Sequence, residues 1–214
     1  MFNDLKSNKH IPVVSIDQKI DLPSTDSIIV DNRSVGFNAV KHLIDMGHKR
    51  IGHISGPLDF YNCQRRLEGY YSALDSANIK PEPNWIQTGL LSADAGYTCM
   101  RNLLNETNIT AVFADNDQIG IGAIKAIKDM GLSVPEDIAV IGVDNIYVST
   151  LISPSLSTIN IPSYQMGLLA MRQILKRISG EISGPNETIV LNTQIIIRKS
   201  TNPERDDTWD LHGW

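Results

Sequence analysis

Four short apolar runs in this chain end in small polar tips and lead into stretches whose apolar residues recur at helical spacing. The tips are Val30-Asp31-Asn32, Ile54-Ser55-Gly56-Pro57, Ala114-Asp115-Asn116-Asp117 and Val143-Asp144-Asn145. Strands that alternate with helices build a mostly parallel sheet, so their carboxyl ends lie along one edge, and ligands of open α/β sheets bind in the crevice outside that edge. The repeat thus predicts an α/β fold and the place of a binding site together.

Residues 11–16 (IPVVSI) and 27–30 read as strands, separated by the turn-rich Asp21-Leu22-Pro23-Ser24. Phe37, Val40, Leu43 and Ile44 predict a helix over residues 34–46, stopped by Gly47, with a strand at 51–55 to follow. Further helices are predicted over 65–77, 94–104, 118–130 and 163–178, and strands at 85–88, 111–114 and 138–143, with one or two more within 188–198. The unbroken apolar run of 138–143 marks a buried strand. Residues 146–158, rich in Ser, Thr and Pro, break the pattern. On the helix at 163–178, Met166, Leu169, Ala170, Ile174 and Ile178 share one side. Phe2 and Leu5 look like the end of a helix, and residues 203–214 form a polar tail expected to be mobile.

A chain of 214 residues can bury one large core or two small ones. Its 19 basic and 24 acidic residues give a net charge of -5, and the basic residues are scattered, so no nucleic-acid footprint is present. Cys63 and Cys99 lack metal-ligand spacing and read as reduced structural thiols, a disulfide or a reactive nucleophile being the alternatives. His10, His42, His48, His53 and His212 are too dispersed for a metal site, and neither metal nor cofactor is expected. Gly120-Ile121-Gly122 starts like a dinucleotide motif but continues Ala-Ile-Lys inside a helical pattern, which reads as helix packing. MFNDLKSNKH lacks the apolar core of a signal peptide, and no apolar run approaches the ~20 residues that span a bilayer. The expected location is cytoplasmic, with no membrane partner.

The stretches IPVVSID, IIVDN, HLIDMGHKRIGHISGP, RRLEGYYSAL, TAVFADNDQIGIGAI, GLSVPEDIAVIGVDN, LSTINIPSYQMG and IIIRKST, spread over residues 11–201, resemble the ligand-sensing core of the LacI/GalR family of bacterial transcription regulators. The resemblance implies a periplasmic-binding-protein-like fold of two Rossmann-like lobes, each a parallel sheet with helices on both faces. It assigns residues 1–30 plus 162–191 to a partial N-terminal lobe, 32–160 plus 193–202 to a complete C-terminal ligand-binding lobe, and 203–214 to the tail. It implies further that a helix-turn-helix headpiece, a hinge helix and roughly the first half of the N-terminal lobe are missing. The helix at 163–178 would then expose an apolar face and favour self-association.

Site residues follow from the tips and from this resemblance. Arg66 offers five donors in a rigid fork, suited to two ligand oxygens, and the matching family arginine contacts the effector; local capping or pairing is the alternative. Asp144 ends the most apolar strand, where a carboxylate can accept from two neighbouring hydroxyls as the family aspartate does, or serve as a turn or cap. Asn116 matches an asparagine used by sugar-binding members and suits a helix cap equally. Asn62 occupies a position where relatives place a small effector-contacting polar group. Phe60, beside Tyr61, can stack on a sugar face or shield the loop, and Leu91 stands where several members put an aromatic platform. Asp31, Asn32 and Ile161 fall at crossovers between lobes, as hinge or cleft residues.

The function implied is that of the effector-sensing and dimerisation core of a transcriptional regulator, expected to be a repressor. Its partners would be a small sugar or nucleobase-like metabolite bound between the lobes, a second copy in a homodimer, and operator DNA reached through the headpiece alone. The rival is a sugar-binding protein of a transport system, which shares the fold, although GHKRIGHISGP and VPEDIAVIGVDN look like the regulators. No Walker A motif, nucleophile elbow, HExxH or acid-base pair is present, so no enzyme is expected.

Overall fold

The computed structural model describes residues 11–18, 20 and 25–205. In chain order the first elements are β1 (Val13–Ile16), β2 (Thr25–Val30), α1 (Asn32–Asp45), β3 (Ile51–Ser55), α2 (Tyr61–Ser76), a 3-10 turn (Pro83–Trp85), β4 (Ile86–Thr88) and α3 (Ala93–Glu106). There follow β5 (Ala111–Ala114), α4 (Asp117–Asp129), β6 (Ala139–Asp144), α5 (Val148–Leu151), β7 (Ser157–Asn160), α6 (Ser163–Ser179), β8 (Thr188–Leu191) and β9 (Gln194–Ile196). These form two compact units: Met1–Asp31 with Pro162–Thr193, and Asn32–Ile161 with Gln194–Trp214.

Among its described residues the first unit holds a three-stranded parallel sheet, ordered β1-β2-β8, packed against α6. Helix α6 turns Met166, Ala170 and Gln173 inward, one stripe at helical spacing, and ends on Gly180 in the left-handed region. The opposite face is apolar and open, with Met171, Leu175 and Ile178 at 58%, 56% and 67% exposure. Ile178 thus departs from the inward side that its spacing suggested. Arg177 takes that role, because Asp26 at the start of β2 is 2% exposed and its carboxylate needs a counter-ion.

The second unit carries a six-stranded sheet of order β4-β3-β5-β6-β7-β9, parallel except for β9. Alternation along the strands sends Ile54, Val112 and Ala114 into one cluster with Met100 and Leu103 of α3 and Ile119, Ala123 and Ile127 of α4. The intervening His53 and Phe113 point the other way, where His53 stacks on Phe113 and on Tyr70 of α2. Each helix pair crosses at glycines. A Cβ on Gly36 or Gly69 would lie 2.1 or 2.2 Å from a backbone oxygen of the facing helix, and one on Gly96 or Gly122 would lie 2.2 or 1.9 Å away. Only glycine permits such an approach, and Gly122 bears out the packing reading of its motif.

Most element boundaries shift by one or two residues from the sequence reading, and helix α2 and strand β7 depart from it further. Helix α2 starts at Tyr61, four residues before the predicted position, because the polar Asn62 and Gln64 hide its first turn from an apolar-spacing criterion. Strand β7 lies partly within the Ser/Thr/Pro-rich stretch, where Ser157 and Thr158 are fully buried with their hydroxyls satisfied by Arg198, Thr201 and Asp117. The expected helix end at Phe2 and Leu5, the turn at 21–24 and most of the tail lie outside the described residues.

Candidate functional site

On the second unit, the ends of β3, β5 and β6 bring the polar tips to one sheet edge. At the junction of β5 and α4, Asp115 is completely buried. Its Oδ2 accepts from the Gly56 amide at 2.7 Å and from Ser55 Oγ at 3.2 Å, tying two neighbouring tips together. Its backbone oxygen accepts from Arg66 Nη1. A Cβ on Gly56 would lie 2.6 Å from Leu91 Cδ2 and 2.7 Å from Cys63 Sγ, so the bare glycine lets both side chains close over this tip. The Cys63 thiol is pushed up to about 12, first by burial and then by the Asp115 carboxylate. Cys63 and Cys99 are both free and buried, as inert structural thiols require.

Arg66 is 5% exposed rather than a surface residue. Its Nε donates to Asn32 Oδ1 at 2.9 Å, so Asn32, in the first turn of α1, orients the guanidinium. The two helices meet at the Gly36 contact with the backbone of Arg66 itself, which fixes where this side chain starts. Nη2 takes no hydrogen-bond partner among the described residues. Phe60 precedes α2 at 50% exposure, and Asn62 lies half-buried in its first turn. Leu91 packs against the α3/α4 cluster, so part of its surface belongs to the core.

Asn116 caps α4, its Oδ1 accepting from the Ile119 amide at 2.9 Å. This is the capping role that its position allowed, and it leaves the amide nitrogen for another partner. Asp117, the next residue, was not singled out by the sequence reading. It is fully buried and accepts from Thr158 Oγ1 at 2.6 Å, Ser149 Oγ at 2.7 Å and the Ile146 amide at 2.9 Å. Burial pushes its carboxyl up to about 6, against the pull of those three donors. Asp117 thereby anchors the loop that follows Asp144.

Asp144 and Asn145 have φ of 110° and 61°. Asparagine tolerates the left-handed region, whereas an aspartate at 110° stores backbone strain of about 1–3 kcal/mol, a feature concentrated at functional sites. The turn is held from outside: Asn145 Nδ2 donates to Asn160 Oδ1 at 3.1 Å, and Arg198 Nη2 donates to Asn145 Oδ1 at 2.6 Å. Asp31 is exposed and Ile161 half-buried, each beside a point where the chain passes from one unit to the other. Among the described residues no cluster of His, Cys, Asp or Glu could hold a metal, and no helix is long and apolar enough to cross a membrane.

A family model, the periplasmic binding protein-like domain, matches residues 40–201. The chain belongs to that family. It is 38% identical over 197 residues to the HTH-type transcriptional repressor PurR of Mannheimia succiniciproducens, covering 92% of this chain and 59% of that protein. The transcriptional regulator CelR, solved as a cellobiose complex, superposes with a TM-score of 0.82 at 33% identity, over 87% of this chain and 58% of that one. A LacI family regulator from Enterococcus faecium with bound ribose gives 0.81 at 31% identity, over 91% and 72%. The family member thus has the periplasmic-binding-protein-like α/β fold of a LacI/GalR-type ligand-binding core. It spans about 59% of the length of the curated relative. These relatives are named as transcriptional regulators, neither enzymes nor transport proteins.

Proposed function

We propose that this chain is the effector-sensing core of a transcriptional repressor, with its small-molecule site on the carboxyl edge of the six-stranded sheet. Arg66, Asp144, Asn116 and Asn62 supply polar contacts, Phe60 and Leu91 apolar ones, and Asp31, Asn32 and Ile161 act as hinge or cleft positions. The observation that carries this reading is Arg66: Asn32 and the Asp115 carbonyl fix two of its nitrogens and leave Nη2 as a preset donor. Preorganisation of this kind lowers the entropic cost of holding a ligand. The strained Asp144 on the same edge supports it. The cellobiose and ribose seen in CelR and the Enterococcus faecium regulator favour a sugar or related metabolite as effector.

In the whole protein the first unit would form part of one lobe and the second the ligand-binding lobe. A homodimer would reach operator DNA through a helix-turn-helix segment of the kind for which PurR is named. Calorimetry with ribose, cellobiose and free nucleobases tests the site. Asp144→Ala and Arg66→Lys are each expected to weaken a bound compound ten- to a hundredfold, about 1.5–3 kcal/mol. Unchanged affinity in both folded variants overturns the assignment.

A further inference from the structure

Directly beneath the candidate site, two fully buried polar atoms face each other without hydrogen-bond partners: His53 Nε2 and Asp115 Oδ1, 3.6 Å apart. His53 Nδ1 lies 3.1 Å from the Phe113 carbonyl, which can only accept, so Nδ1 carries the ring proton and Nε2 of the neutral imidazole presents a lone pair. The polar atom set opposite that lone pair, at 3.6 Å, is a carboxylate oxygen. Two unsolvated acceptors set against each other gain nothing from the contact, and a buried polar atom left without a partner costs about 1–3 kcal/mol. One proton placed on Nε2 satisfies both.

We propose that His53 is a positioning residue that takes up a proton from solvent on acidification, closes the Nε2–H···Oδ1 bond to Asp115 and thereby tightens the Arg66 and Gly56 side of the site. Asp115 is suited to transmit the change because each of its other polar groups is committed. Oδ2 holds the Gly56 amide and the Ser55 hydroxyl, and its carbonyl holds Arg66. The ring has no room to turn away, being stacked on Phe113 at 4.7 Å and on Tyr70 at 5.2 Å between centroids.

The charged and titratable groups around His53 are Asp115 beyond β5 and, on α2, Arg66, Tyr70 and Cys63. Burial pulls the imidazole below its ordinary value of 6.5, with the Arg66 guanidinium acting the same way, while Asp115 and the Phe113 carbonyl oppose them. Burial pushes Tyr70 well above its ordinary value and the Cys63 thiol up to about 12, so both stay neutral throughout. The gap of 3.6 Å fits the unprotonated pair, just outside bonding distance. Proton uptake therefore falls on the acid side of neutrality.

Nitrogen-15 NMR titration of the intact chain tests the device without a ligand; only its bearing on ligand affinity rests on the site reading above. The expected result is a second ring proton on His53 below pH 6.5, with the Gly56 amide and Arg66 Nε–H resonances moving at the same midpoint. His42 and His48, bonded to Thr201 and Thr110, serve as internal controls with midpoints of their own. In Asp115→Asn the amide can donate to neutral Nε2, so His53 stays neutral and the Gly56 co-titration disappears. The proposal is overturned if wild-type His53 keeps a single ring proton down to acid unfolding. It is equally overturned if His53 titrates while Gly56 and Arg66 stay still.

Discussion

Asp26 in the first unit and Asp117 in the second are both aspartates sealed from solvent, at 2% and 0% exposure, yet their surroundings differ in kind. Asp26 meets a cation. Arg177 Nε and Nη2 grip its two oxygens at 2.8 Å each, and the Glu187 amide and Gln173 complete the shell. Asp117 receives only neutral donors, two hydroxyls and one amide. Burial works against both carboxylates. In Asp26 the Arg177 fork and its companions outweigh it and hold the carboxyl below its ordinary value of 3.8, whereas in Asp117 burial prevails. Among its described residues the first unit has three strands and one helix, and there an ion pair clamps α6 and the loop carbonyls of Gly184 and Pro185 onto β2. The larger unit has an extended core and tolerates a costly carboxylate where it shapes the loop after Asp144.

The contrast breaks most sharply at Arg177. Arg177→Met leaves Asp26 buried without its cation, with only the Glu187 amide and Gln173 as donors, and urea unfolding is expected to show a loss of about 3–5 kcal/mol. A loss below about 1 kcal/mol means that the cation is not what holds Asp26.

The second test is the pH dependence of the two carboxylates, which have opposite signs. Asp117 binds its proton more tightly folded than unfolded, so its share of stability falls as pH rises from 3.8 to about 6. That shift corresponds to about 3 kcal/mol. Asp26 contributes fully above 3.8, and its contribution is lost as pH falls through its lower folded value. Asp117→Asn should flatten the stability profile between those limits, while Asp26→Asn should leave that decline in place.

Thr158→Val removes one of Asp117's three donors at the cost of about 1 kcal/mol. It should also push the Asp117 carboxyl above about 6, which carbon-13 NMR reads at the side chain. The smallest effect is expected on α6: Ile178→Lys, at a position 67% exposed, should move unfolding by no more than about 0.5 kcal/mol. Its effect should appear instead in light scattering, as less self-association through the open apolar face.

Patterns local to a few residues were legible in the sequence. Strands at 51–55 and 111–114 were bounded correctly because their apolar runs stop abruptly at polar tips. The tips themselves pointed to the sheet edge on which the proposed site lies. What stayed hidden depends on partners far along the chain. Asp115 meets the Gly56 amide 59 residues away, and Asp117 meets Thr158 41 residues away. Nothing in the triplet Asp115-Asn116-Asp117 distinguishes a cap, a tie between strands and a loop anchor, although the fold uses one for each. Arg177 shows the same limit, since helical spacing favours Ile178 for the inward side and only the buried Asp26 reverses it.

At Gly36 with Gly69, and at Gly96 with Gly122, helix backbones touch with no side chain between them. The spacing of each pair is therefore set by atoms that every residue shares, and no rotamer can relax it. Exposed side chains at the edge, such as Phe60 and Tyr61, can then be exchanged without the helices responding. If the proposed site holds, a library varied at those two positions should sample new ligand preferences on an unchanged frame.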